Sequence, residues 1–212
     1  LQRKDHHGYD LAVDLNTAKD CLASLNRWQE FDALVDDTVQ RHSDDWHLLA
    51  MAGQVTFYAQ HYGHVQENKF HRGNAESSGP QVYCQLQDRA RCLHFMQLAM
   101  KAMPAGERGS ERSRHFINFA NYLLQNVDTT TLFTLTDLET PPDYLSSETS
   151  GLPWGYYGRQ QQATPVGADN LPLYHYIPES WEAAKTDGER MRWLLSQAGT
   201  MDERNGLEAH HI

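Results

Sequence analysis

The chain has 212 residues, of which 40% are hydrophobic and 10% aromatic, enough to bury a sizeable core. Its balance is acidic, 18 Lys+Arg against 28 Asp+Glu for a net charge of -10. This argues against a nucleic-acid partner, for which a basic stripe would displace phosphate counterions, and against docking on an anionic bilayer. No stretch of about 18 apolar residues occurs, so no membrane-spanning helix is expected.

The chain begins at Leu1 without a charged stretch leading into an apolar one. Its last residues, Glu208-Ala209-His210-His211-Ile212, read as a helix cut in mid-turn, so the expectation is a piece of a longer polypeptide.

From the start, the pattern is helical. Leu11, Leu15, Ala18, Leu22 and Leu25 fall on one helical face, with Asp10 placed to cap its start. After Asn26-Arg27 a second stripe follows in Phe31, Leu34, Val35, Val39 and His42. Ser43-Asp44-Asp45 reads as a turn or cap. A third stripe runs through Trp46, Leu49, Ala50, Gly53 and Phe57, with continuation to Tyr62. A polar break at 73–80 precedes a long helix over 82–103, closed by Pro104-Ala105-Gly106. A fifth helix, capped by Ser110, carries Phe116, Phe119, Ala120, Leu123 and Leu124. Short breaks between helices predict antiparallel helical hairpins. Helix length and hairpin rhythm agree with a tetratricopeptide-like stack, although the motif's tryptophan, leucine, glycine and tyrosine positions are mostly unfilled.

The texture changes near Thr129. Residues 129–178 are rich in proline and turn dipeptides. Residues 131–135 alternate like a short strand. Residues 166–170 suit a hairpin turn before an edge strand over 171–177, where Pro172 is tolerated. Helices resume at Pro178, and Thr186-Asp187-Gly188-Glu189 and Thr200-Met201-Asp202-Glu203 both fit a capping box. The expected fold is therefore mainly α: a helical-hairpin array over 1–127, a proline- and aromatic-rich insert with short strands over 128–177, and further helices over 178–212.

Cys21, Cys84 and Cys92 read as buried thiols, the latter two too far apart along a helix for a disulfide. His61, His64, Glu67 and His71 would make a metal site only if one helix continued through them, and no H-E-x-x-H or spaced carboxylate set supports it. Cys84 and His94 do not form a nucleophile–base pair, and no G-x-S-x-G or phosphate-binding glycine motif occurs. No catalytic, cofactor-binding or metal-ligating residue is assigned, and no enzyme is expected. Five rings, Trp154, Tyr156, Tyr157, Tyr174 and Tyr176, cluster in the insert. They pack inward near Phe119, Leu123 and Trp193, the favoured reading, or they form a contact patch.

Several ordered patches resemble a known family. They are Lys69-Phe70-His71-Arg72-Gly73, Asp88-Arg89-Ala90-Arg91-Cys92-Leu93, Leu135-Thr136-Asp137-Leu138 with Pro142-Asp143-Tyr144, Gly155-Tyr156-Tyr157-Gly158, Ala163-Thr164-Pro165-Val166, Tyr176-Ile177-Pro178-Glu179-Ser180-Trp181, and the run from Asp187 to Trp193. Together they resemble the N-terminal helical region of large bacterial alpha-2-macroglobulin-like proteins. The resemblance implies an extracytoplasmic, periplasmic or cell-surface, protease-trapping parent, an endopeptidase inhibitor. In that family a protease cuts a bait segment and a Cys–Gln thioester captures it. Cys84-Gln85-Leu86-Gln87 does not fill the thioester motif, so no thioester or bait residue is carried over. The resemblance implies a non-catalytic scaffold whose partners are downstream domains of the same polypeptide, with proteases reached through the full-length protein. The alternative is a free-standing helical-repeat module binding a peptide or glycan at the aromatic loop.

Overall fold

The computed structural model describes residues 1, 7–73, 79–107, 109–125, 127, 130–145, 166 and 171–201. It is mainly helical, with a small three-stranded antiparallel sheet. Two compact units divide it: Leu1–Met103 with Leu138–Tyr156, and Pro104–Asp137 with Tyr157–Ile212. The sequence boundaries at 127/128 and 177/178 both fall inside the second unit.

In the first unit, α1 (Tyr9–Ser24), α2 (Phe31–Arg41) and α3 (Trp46–Phe57) follow the three apolar stripes. Leu11, Leu15, Phe31, Val35, Leu48, Ala52 and Val55 form one core cluster with Phe95. Asp10 does not cap α1. Gly8 does, at φ 75, and its N–H donates to the Asp45 carboxylate. Asp45 also accepts from the N–H groups of His47 and Leu48 and so caps α3, as its position predicts. The main partners of α3 are α4 (Gln85–Ala102) and α1, with a smaller contact to α2.

Between α3 and α4 the expected helical continuation fails. Strands β1 (Tyr62–Gln66), β2 (Lys69–Arg72) and β3 (Gln81–Tyr83) form a sheet in the order β2-β1-β3. Glu67 and Asn68 both take positive φ, 50 and 60, between the register partners Gln66 and Lys69. That is the two-residue hairpin turn whose twist suits paired strands. Gly63 is required by the pairing: a Cβ there would lie 2.2 Å from the His71 carbonyl oxygen and 2.7 Å from a Phe70 ring atom.

The second unit is built on α5 (Gly109–Leu124) packed against α6 (Asp187–Met201). Phe116, Phe119, Leu123, Leu194 and Ala198 are buried, and buried Ser113 donates from Oγ to the Ala198 carbonyl. Trp181 packs on Phe119 and Trp193 with ring centroids 5.2 and 5.9 Å away. The strand expected over 131–135 is instead a 3-10 turn, Thr131–Phe133. The Thr134 hydroxyl donates to the Thr131 carbonyl there, a local bond that competes with sheet pairing. Of the expected hairpin before 171–177, the described residues show one isolated antiparallel bridge, Val166 with Pro172, while the turn residues 167–170 lie outside them. Thr186 caps α6 as predicted: its Oγ1 accepts from the Glu189 N–H, while Glu189 reaches back to the Lys185 N–H. The second capping box, at 200–203, runs beyond the described residues.

Candidate contact surface and buried polar cluster

The aromatic patch read from sequence divides. Trp154, Tyr156 and Tyr157 lie outside the described residues. Tyr174 and Tyr176 are 69% and 74% exposed, so these two rings stand on the surface rather than packing on Phe119, Leu123 and Trp193. They are not alone. Leu171, Leu173 and Ile177 are also exposed, giving an apolar strip along seven residues. Isolated exposed apolar residues are ordinary; a run of them is not.

One member of the run turns inward. The His175 ring stacks on Phe133 at a centroid distance of 4.1 Å and meets the Thr186 hydroxyl through Nδ1. It covers Gly188 so closely that a Cβ there would lie 2.3 Å from a ring atom. Partial burial lowers the His175 pKa, Arg192 adds to the lowering, and Glu189 opposes it. The ring also sits on the first turn of α6, the positive end of that helix, which disfavours the imidazolium. Neutral His175 thus fixes the strip to α6 while its neighbours face outward.

A second constellation was not found from sequence. Arg72, at the end of β2, is 1% exposed. Its Nε and Nη2 donate to the two oxygens of Asp32 at 3.0 and 2.9 Å. Its Nη1 and Nη2 donate to the two oxygens of Asp88 at 2.8 and 2.7 Å, and Nη1 also serves the Gln60 carbonyl. The guanidinium lies 5.3 Å from the Phe31 ring centroid and 5.4 Å from that of Phe70. Burial works against its charge, but Asp88 and Asp32 outweigh it, so Arg72 is held charged. Asp88 is desolvated too, yet Arg72 and His61 keep its carboxyl below the usual range. His61 Nδ1 meets Asp88 at 2.8 Å. Arg91 continues the network to Asp32 and Asp36. The Tyr144 hydroxyl closes it, accepting from Arg72 and Arg91 at 2.9 and 3.0 Å and donating to Asp88 at 2.9 Å. Asp32 lies on α2 and Asp88 and Arg91 on α4, and no local spacing in the sequence links them to Arg72 on β2.

The histidines once weighed for metal are distributed rather than converged. His61 faces Asp88, His64 faces the Gly79 carbonyl, and His64 and His71 are cross-strand neighbours on β1 and β2. Among the described residues no three His, Cys, Asp or Glu side chains are grouped to hold a metal ion. Cys84 and Cys92 are buried, as expected, and burial pushes both thiols up. Cys21 is exposed, contrary to expectation, because its position on α1 falls off the face formed by Leu11 and Leu15. Among the described residues no helix is long and apolar enough to cross a membrane.

Comparison with family models, with curated proteins and with solved structures finds no match.

Proposed function

We propose that the chain is a non-catalytic helical scaffold, tetratricopeptide-like in arrangement, within a large extracytoplasmic bacterial alpha-2-macroglobulin-like endopeptidase inhibitor. Its contacts are with downstream domains of the same polypeptide, through the strip at 171–177. The observation that carries this reading is the exposure of Leu171, Leu173, Tyr174, Tyr176 and Ile177 on a segment fixed by His175. Tyrosine and branched apolar side chains on a pre-set segment bury area at low entropic cost when a partner covers them. The resemblance supplies the identity of that partner. The reading is tested by producing this chain and the remainder of its parent polypeptide separately and measuring their association by calorimetry. Saturable association supports it; two parts that ignore each other refute it.

A further inference from the structure

The segment from Leu138 to Tyr144 lies on the first unit as a bound peptide lies on a receptor. It is joined to that unit only by non-local contacts, since residues 104–137 belong to the other unit. It runs opposite to α4 and is read by one stripe of that helix. Glu139 meets Lys101 at 2.7 Å and Gln97 at 3.2 Å. The Leu138 carbonyl accepts from His94 Nδ1. The Tyr144 hydroxyl meets Arg91 and Asp88. Asp88, Arg91, His94, Gln97 and Lys101 recur at three- and four-residue spacing, a stripe that winds around the helix from buried Asp88 to exposed Lys101.

The two ends of the segment are anchored differently. Leu138 is 2% exposed. Tyr144 stacks on Phe70 at 4.6 Å and 22°, and its hydroxyl enters the Arg72–Asp88 cluster. Between them, Glu139, Thr140, Pro142 and Asp143 are exposed. A cleft of about 290 Å³ remains between Pro141, Pro142 and Tyr144 on one side and Asp36, Arg91, His94 and Phe95 on the other. The receiving groups do not depend on the segment for their charge balance. Arg72 already has Asp32 and Asp88, and Arg91 already has Asp36. The socket for the tyrosine is therefore built by the rest of the unit.

We propose that this face of α4, with the Arg72 socket at its end, is a peptide-recognition site occupied in cis by Leu138–Tyr144. Its occupant is that segment, recognised as a detachable peptide through a buried leucine, an acid beside it, two prolines and a tyrosine at its end. Selection for tyrosine over phenylalanine comes from the hydroxyl, which accepts from Arg72 and Arg91 and donates to Asp88. The site is separate from the exposed strip at 171–177, and the proposal does not rest on the scaffold reading.

The test uses the full chain with Leu138→Ala and Tyr144→Ala, and a fluorescent synthetic peptide copying residues 136–145. Anisotropy should show saturable binding to the double variant, at least about tenfold tighter than to the parent chain, whose own segment competes. Replacing the peptide's tyrosine by phenylalanine should weaken binding about tenfold, the effect of losing hydrogen bonds to charged groups. No saturable binding to a variant with intact helical circular dichroism would overturn the proposal, as would equal binding by the phenylalanine peptide. If the double variant loses its helical signal, Tyr144→Phe replaces it. The tyrosine peptide must then bind that variant more tightly than the parent, and equal binding to the two overturns the proposal.

Discussion

Arg72 and Asp88 meet in a two-pronged ion pair, at 2.7 and 2.8 Å, with both side chains fully buried. Removing two charges from water is costly, and their attraction offsets the cost only when every remaining donor and acceptor finds a partner. Here Asp32, Gln60, His61 and Tyr144 supply those partners. Arg72→Met leaves buried Asp88 without its counter-charge and should destabilise the chain by about 3–5 kcal/mol in urea unfolding. Arg72→Met with Asp88→Leu should recover part of that loss. A single variant costing under about 1 kcal/mol would show that water reaches the cluster.

Strong acid should break the same pair. The Asp88 carboxyl is held below its ordinary value by Arg72 and His61, against desolvation. Its stabilisation is fully present above the unfolded value of about 4 and is lost as pH falls through the lower folded value. Asp88→Asn should lower stability at neutral pH and flatten the decline of the unfolding midpoint below about pH 4. Parallel pH profiles for parent and variant would contradict this.

His175 titrates with the opposite charge change but in the same direction of stability. Burial first, then Arg192, lowers its folded pKa, with Glu189 opposing. The contribution is therefore fully present above the unfolded value of about 6.5 and shrinks as pH falls toward the folded one. An NMR titration should place His175 below about 6.5. Gly188→Ala should displace the ring, since its new Cβ would lie 2.3–2.4 Å from three ring atoms, and return the titration to the ordinary range. A His175 midpoint unmoved by Gly188→Ala would mean that the ring does not rest there.

Thiol accessibility separates the three cysteines. Cys21 is exposed, whereas Cys84 and Cys92 are buried with their thiols pushed up. A disulfide reagent at neutral pH should modify one thiol promptly in the native chain and the other two only on unfolding. Cys21→Ser should abolish the prompt phase. Prompt reaction at Cys84 would mean that the cluster around Asp88 opens readily.

Helices with clear stripes were legible in the sequence because Leu11/Leu15, Phe31/Val35 and Phe116/Phe119/Leu123 repeat at helical spacing. The sheet was not. Its turn is Glu67-Asn68 rather than Asn-Gly, and Gly63 reads as a helix break until its close approach to His71 is seen. The strand expectation at 131–135 followed alternation alone, and local threonine hydrogen bonding overrode it. The exposed tyrosines were named from sequence, but the contact of His175 between them with Phe133 joins residues far apart in the chain and exists only in the fold. The Arg72 cluster joins residues from Asp32 to Tyr144, and no local spacing announces such a set.

The central claim is that the strip at 171–177 is a contact surface rather than a packing element. The most direct measurement is the affinity of the chain for the remainder of the proposed parent polypeptide, with Leu173, Tyr174 and Tyr176 all replaced by serine. These side chains are 42%, 69% and 74% exposed, so the melting midpoint should stay within the shift given by about 0.5 kcal/mol per site. Association should weaken by at least about tenfold, as for loss of buried aromatic anchors. Unchanged affinity with an unchanged midpoint would contradict the claim.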